Sequence, residues 1–199
     1  MEGFVYLQDI IPDIICDMRY AASNNLTGKP LDGYLANTPI GTREMAQALK
    51  RVAEDAREQG YRLHVFDAYR PQKAVDCFVR WAKEPEDDTT REAYYPKLKK
   101  EDLFPLGYIA LKSGHTRGST VDLTLVDGDI LLDMGTDFDF MDEMSHHGAA
   151  GIMALQAKNR LLLLNFMTHR GFLPYENEWW HYRLDNEPYP DTYFDFDVK

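Results

Sequence analysis

The sequence predicts an α+β fold in which residues 1–199 form a single domain, a small and mostly antiparallel sheet packed with helices. Three observations predict it. The periodic segments run helix, strand, helix, strand hairpin, helix, strand. At 199 residues the chain can build one real core, burying roughly 70% of the surface it exposes when unfolded. No repeat, low-complexity tract or Gly/Ser linker divides it, and its 44% hydrophobic and 13% aromatic content is that of an ordinary folded protein.

Each element has its own signal. Thr42 is an N-cap, Met45, Leu49, Val52, Ala53 and Ala56 recur at helical spacing, and Gly60 offers a stop, so a helix spans 43–59. Tyr61 to Phe66 reads as a short strand. Pro71 then opens a second helix with Ala74, Val75, Phe78, Val79 and Ala82 on one face. The residue before a proline is pushed toward extended geometry, so Arg70 is fixed at the corner between strand and helix, where functional side chains project. The polar stretch 84–103, with Tyr94 and Tyr95 inside it, is either a solvated loop or a flap over a site.

From Thr120 to Leu125 apolar and polar residues alternate, as in a half-buried strand with Asp122 on the polar side. Asp127-Gly-Asp129 turns the chain into Ile130-Leu-Leu, a hairpin. A long helix over 149–170, carrying Ile152, Leu155, Leu162, Phe166 and Met167, stops at Gly171, and aromatic-rich Trp179 to Leu184 closes the sheet.

Charge excludes some partners. The formal net charge is −11, with 33 acidic residues against 22 basic, so the mean field repels phosphate backbones and anionic lipid, and neither nucleic acid nor membrane is an expected partner. No apolar run could span a bilayer, and the first residues lack the pattern of a signal peptide. Cys16 and Cys77 lack metal-type spacing and read as two buried thiols rather than a disulfide. A cytoplasmic location suits these features. A homo-oligomer stays open.

Two short segments hold the parts of a hydrolytic zinc site. In Ser113-Gly-His-Thr-Arg-Gly-Ser-Thr-Val-Asp-Leu-Thr-Leu125, glycines flank His115 and let the backbone turn sharply, while Asp122 follows on the polar face of the strand. In Glu178-Trp-Trp-His181 a second imidazole comes with a second carboxylate. Zinc in hydrolases takes three side chains, leaves a position for water, and works with a nearby carboxylate that accepts a proton. His115, Asp122 and His181 are candidate ligands and Glu178 the candidate base; Arg70 is the candidate for the oxyanion that forms when an amide is attacked. The bland alternatives are satisfied structural histidines and an aromatic strand whose Glu and His face water. Residues three apart lie on opposite sides of a regular strand, so the site requires Glu178 at the strand entrance or at a bulge. His146 and His147 are adjacent and cannot both face one metal in regular structure; they fit surface or supporting roles, and His64 and His169 fit structural ones.

These two segments, with Asp67-Ala-Tyr-Arg-Pro71, Thr27-Gly-Lys-Pro-Leu-Asp-Gly-Tyr34, Phe138-Asp-Phe-Met-Asp-Glu143, Ser145-His-His147 and Tyr193-Phe-Asp-Phe196, resemble the VanX-type D-alanyl-D-alanine dipeptidases over nearly the whole chain. That family belongs with the zinc D-Ala-D-Ala carboxypeptidases and the Hedgehog-like zinc fold. The resemblance implies one zinc ion on His115, Asp122 and His181, Glu178 as general base and acid, Arg70 polarising the carbonyl, Asp139 receiving the substrate ammonium, and Tyr20, Ser113, Phe78 and Trp179 lining a small pocket for a dipeptide. Gly114 departs from the pattern, which has a second serine there. Two rival functions are a D,D-carboxypeptidase acting on longer cell-wall peptides and a non-catalytic zinc-binding interaction module.

Overall fold

A computed structural model describes residues 2–86 and 88–199; Met1, and Asp87 of the polar stretch, lie outside the described residues. The protein opens with β1 (Phe4–Tyr6), α1 (Leu7–Ile10) and β2 (Ile15–Cys16), followed by β3 (Ile40–Thr42), α2 (Arg43–Glu58), β4 (Tyr61–Asp67) and α3 (Gln72–Trp81). After these come α4 (Arg91–Tyr94), β5 (Thr120–Asp127), β6 (Ile130–Leu131), α5 (Ala154–His169), β7 (Phe172–Tyr175) and β8 (Glu178–Leu184). The main sheet has the order β2-β4-β5-β8-β7, with β6 paired to β5, while β1 and β3 form a separate two-stranded sheet. Only β2 and β4 pair in parallel among the described ladders. This is the mostly antiparallel α+β arrangement that the sequence predicts.

The firmest local expectation holds for a physical reason. The Thr42 hydroxyl accepts from the Met45 amide and satisfies one of the donors left free at the start of α2, whose apolar face buries Met45, Leu49, Val52, Ala53 and Ala56. Each Leu or Val so buried stabilises by about 1.5–3 kcal/mol. Gly60 ends the turn at φ +87°, a conformation glycine adopts without steric cost. Pro71 sits at the N-cap of α3 with extended ψ, so the helix begins one residue later than expected and Arg70 is left at the corner.

Three expectations need correction. β5 is buried on both faces up to its last residue rather than half-buried: Asp122 lines the site, Thr124 a neighbouring pocket, and Thr120 is fully buried. α5 starts at Ala154, not 149, because Gly148 and Gly151 hold φ of +72° and +88° and break the helical run; Leu155 then lies 60% exposed, outside the inward face of Leu163, Phe166 and Met167. The stretch 84–103 is more than a solvated loop, since Tyr94, Tyr95 and Leu103 are buried and Lys100 lies over Trp81 with its Nζ donating to the Pro85 carbonyl.

The hairpin forms as expected, with Val126 opposite Leu131 and Asp127 opposite Ile130. At the far end of the chain the Phe196 ring stacks on Tyr69 and its carbonyl accepts from the Tyr69 hydroxyl, clamping the segment that carries Arg70. Cys16 and Cys77 are both free thiols, half-buried. Among the described residues no helix is long and apolar enough to cross a membrane.

Candidate active site

Three different local structures deliver the donors. A short 3-10 turn, Gly114–Arg117, is capped by Ser113, whose hydroxyl accepts from the His115 amide, and closes on Gly118 at φ +82°. A side chain at Gly118 would run into the Phe4 ring, so only glycine fits where the turn meets β5. β5 presents Asp122, and β8 presents His181 directly opposite it in the ladder.

Glu178 and His181 share one side because the β7–β8 ladder is irregular. Pro174 pairs with Tyr182, yet the next residue, Tyr175, pairs with Glu178, so residues 179–181 bulge and the two-residue alternation of the strand is broken. Glu178 therefore opens the strand and bends back, its Oε2 3.5 Å from His181 Nδ1.

At the centre, His115 Nε2 lies 3.2 Å from Asp122 Oδ2 and 3.3 Å from His181 Nδ1, and His181 Nδ1 lies 3.1 Å from Asp122 Oδ1. His115 Nδ1 is 2.7 Å from the Ala68 carbonyl. A carbonyl only accepts, so Nδ1 carries the proton and Nε2 turns a lone pair inward, the usual way a second partner orients a metal-binding imidazole. Two imidazole nitrogens and a carboxylate thus face one another, and Asp122 Oδ1 is buried without a hydrogen-bond donor. All three donor atoms lie within 4.8 Å of one another. Acceptors gathered so closely call for a cation, and two neutral imidazoles with one carboxylate form a donor set that suits zinc.

The surrounding charges are ordered by burial. Burial works to raise the Asp122 carboxyl, but positive charge and hydrogen bonds on the His115 and His181 side of it, which protonated rings would supply, outweigh this and hold it well below the usual carboxylate range. Burial lowers His181, with Asp122 pulling the other way. Glu178 is pushed well above its ordinary value by burial first, and then by the Asp122 and Asp139 charges. Asp139 is raised to about 7, again by burial, against the lowering effect of the Tyr20 hydroxyl that donates to it at 2.7 Å.

Arg70 reaches in from the strand-to-helix corner. Its guanidinium bonds Asp67 Oδ2 at 2.9 Å from both Nε and Nη2, with Nη2 3.6 Å from Asp122 Oδ2. The Tyr20 and Phe78 rings pack on it, 4.6 and 5.3 Å from its central carbon. Tyr20, Arg70, Phe78, Asp122, Asp139, Glu178 and His181 line one small chamber of about 40 Å³.

Two expected lining residues lie elsewhere. Ser113 is spent on capping the His115 turn. Trp179 is buried with its indole Nε1 donating to Thr136 Oγ1, and it borders a neighbouring pocket beside Met134 and Phe66; the alternation that turns Glu178 inward turns Trp179 away. His146 bonds Tyr108 at 3.1 Å, while His64 packs on Phe66 with Asp17 at 3.4 Å, a supporting and a structural role as expected.

Some site groups carry no sequence signal of their own. Asp67 is fully buried, binds Arg70, and accepts from the Tyr34 hydroxyl at 2.5 Å; its spacing three before Arg70 is the one available hint. Tyr108, Ile109 and Ala110, which cover the chamber, lie in irregular chain with no periodicity to read.

Two imidazoles, a carboxylate, a buried carboxyl beside them and a fixed guanidinium are together the equipment of a metallopeptidase. A family model described as D-ala-D-ala dipeptidase, of peptidase family M15, matches residues 1–199. A D-alanyl-D-alanine dipeptidase of Enterococcus faecalis is 50% identical over 200 residues, covering 100% of this chain and 99% of its own length. One of Enterococcus faecium is 49% identical, covering 99% of this chain and 98% of its own, and one of Streptomyces coelicolor is 46% identical, covering 98% of each. The chain belongs to the D-ala-D-ala dipeptidase family of M15 metallopeptidases.

Proposed function

We propose that the chain hydrolyses the free dipeptide D-Ala-D-Ala to two molecules of D-alanine in the cytoplasm, as a single catalytic domain that binds one zinc ion on His115, Asp122 and His181. The observation that carries this is the one small chamber that Asp122, His181, Glu178, Arg70 and Asp139 all line. The names of relatives about half identical to this chain over their full length support the substrate.

Zinc, when bound, supplies the Lewis acidity that brings a water molecule toward hydroxide at neutral pH. Glu178 takes the proton of the attacking water on its carboxylate and hands it to the leaving amine. Burial suits it to both halves of that task, since a carboxyl with a raised pKa can hold a proton as well as accept one. Arg70 stabilises the negative charge that develops on the carbonyl oxygen; Asp67, Tyr20 and Phe78 hold the guanidinium in place, so no reorganisation is needed when that charge appears. Asp139, positioned by Tyr20, receives the ammonium of the dipeptide. Ser113 contributes by fixing the His115 turn and Trp179 by packing behind the bulge.

The names of full-length relatives favour a dipeptidase over a D,D-carboxypeptidase, which needs an open groove for the rest of its peptide. A zinc-binding interaction module has no use for Glu178 and Arg70 buried beside the donors. Replacing Glu178 by Gln should lower kcat for D-Ala-D-Ala by roughly 10²–10⁴-fold while zinc stays bound, as measured by D-alanine release and metal analysis. Wild-type turnover in that variant would end the general-base role, and a native protein inert toward D-Ala-D-Ala would end the substrate assignment.

A further inference from the structure

Two spaces meet at one side chain. Asp139 and Met141 border the small chamber of about 40 Å³, and just beyond them Asp142, Glu143 and His146 line a larger pocket of about 430 Å³. Tyr108 borders both. Its hydroxyl is held 3.1 Å from His146 Nε2. The residue before it is tied to β7, with the Tyr175 hydroxyl donating to the Gly107 carbonyl at 3.2 Å. Gly107 has φ +81°, and a Cβ there would come within 2.8 Å of that hydroxyl, so the chain is pressed against the rim of the site. The partition is pinned from two sides.

We propose that the Tyr108 ring is the specificity-determining partition that restricts this enzyme to dipeptides, and that its removal joins the chamber to the outer pocket and admits a peptide extended at its amino end. The proposal rests on the function proposed above, in which Asp139 receives the substrate ammonium. An amino-terminal extension must leave the chamber at Asp139. Among the described residues Tyr108 is the one that lines both spaces, so an added residue that reaches the outer pocket would have to pass it. A third residue needs room beyond the small chamber beside the donors. The outer pocket has that room, and it offers a carboxylate to the displaced ammonium: Asp142 is paired with Lys97 at 2.7 Å, which leaves Glu143.

The test compares D-alanine release from D-Ala-D-Ala and from Gly-D-Ala-D-Ala by the zinc-loaded native protein and by Tyr108→Ala, Tyr108→Phe and His146→Ala, with zinc content and thermal unfolding checked for each. The ratio of kcat/KM for tripeptide over dipeptide should rise at least about tenfold in Tyr108→Ala, the scale on which pocket shape discriminates. It should stay near the native ratio in Tyr108→Phe, which keeps the ring, and rise by a smaller factor in His146→Ala, which unpins it. A folded, zinc-loaded Tyr108→Ala that still cleaves D-Ala-D-Ala at the native ratio overturns the proposal. Should Tyr108→Ala fail to fold, an unchanged ratio in His146→Ala overturns it instead. A native protein that cleaves neither peptide sinks the function beneath the proposal, whatever the variants do.

Discussion

The donor side of the site and the cover over it hold their residues by different means. His115, Asp122 and His181 hang on a capped turn and on paired strands, so backbone ladders fix them before any ligand arrives. Tyr108 and its neighbours lie in irregular chain, held by side-chain hydrogen bonds from His146 and Tyr175. Backbone pairing gives precision, which chemistry needs; a surface segment held by a few side chains is cheaper to alter, which suits selection of substrate. Substitutions on the two sides should therefore fail differently, in rate on the donor side and in peptide length on the cover.

Beside Glu178, the large effect that distinguishes the two sides is expected at Arg70. Arg70→Ala should lower kcat for D-Ala-D-Ala by about 10²–10³-fold, as the loss of one oxyanion donor does. It also strips Asp67 of its cation; a buried pair broken on one side costs about 3–5 kcal/mol, though the Tyr34 hydroxyl, which still donates to Asp67, softens this. Steady-state rates and a denaturant melt would measure both, and an unchanged kcat would count against the placement of the guanidinium. Tyr108→Ala, by contrast, should retain zinc and show its change in the tripeptide ratio.

A smaller effect is expected at Gly114, on the donor side. A Cβ there would sit 2.9 Å from Thr120 Oγ1, a buried hydroxyl without a hydrogen-bond partner. Gly114→Ser should therefore destabilise by about 1–3 kcal/mol, as overpacking does, and Thr120→Ala in the same chain should recover most of it. Thermal unfolding of the two single variants and the double variant would test this; additive losses would show that the two positions do not compete for space.

How much of this was legible in the sequence follows from the same contrast. α2, β4, α3 and β5 have enough residues for a period to show and stand where the periodicity puts them, and the turn Asp127-Gly-Asp129 marks the hairpin to the two-residue β6. β1, β2 and β3 are two or three residues long and carry no period, so they stayed invisible. The ligand candidates and Glu178 could be named because their residue types suit one chemistry, but spacing argued against Glu178 until the bulge at 179–181 supplied the missing turn. A bulge leaves no mark in hydrophobic pattern. For β5, alternation cannot tell a solvent face from a buried polar one: Asp122 lines the site and Thr124 a neighbouring pocket; for Trp179 the resemblance implies a role without a direction. Tyr108 had neither period nor charge to single it out.

The most direct measurement is metal removal and return. Treated with chelator and desalted, the protein should lose its zinc and release no D-alanine from D-Ala-D-Ala. Added zinc should restore both turnover and a stoichiometry of about one per chain. Full activity in the metal-free protein, or zinc that rebinds equally well after Asp122→Ala, would contradict a metal centre built from His115, Asp122 and His181.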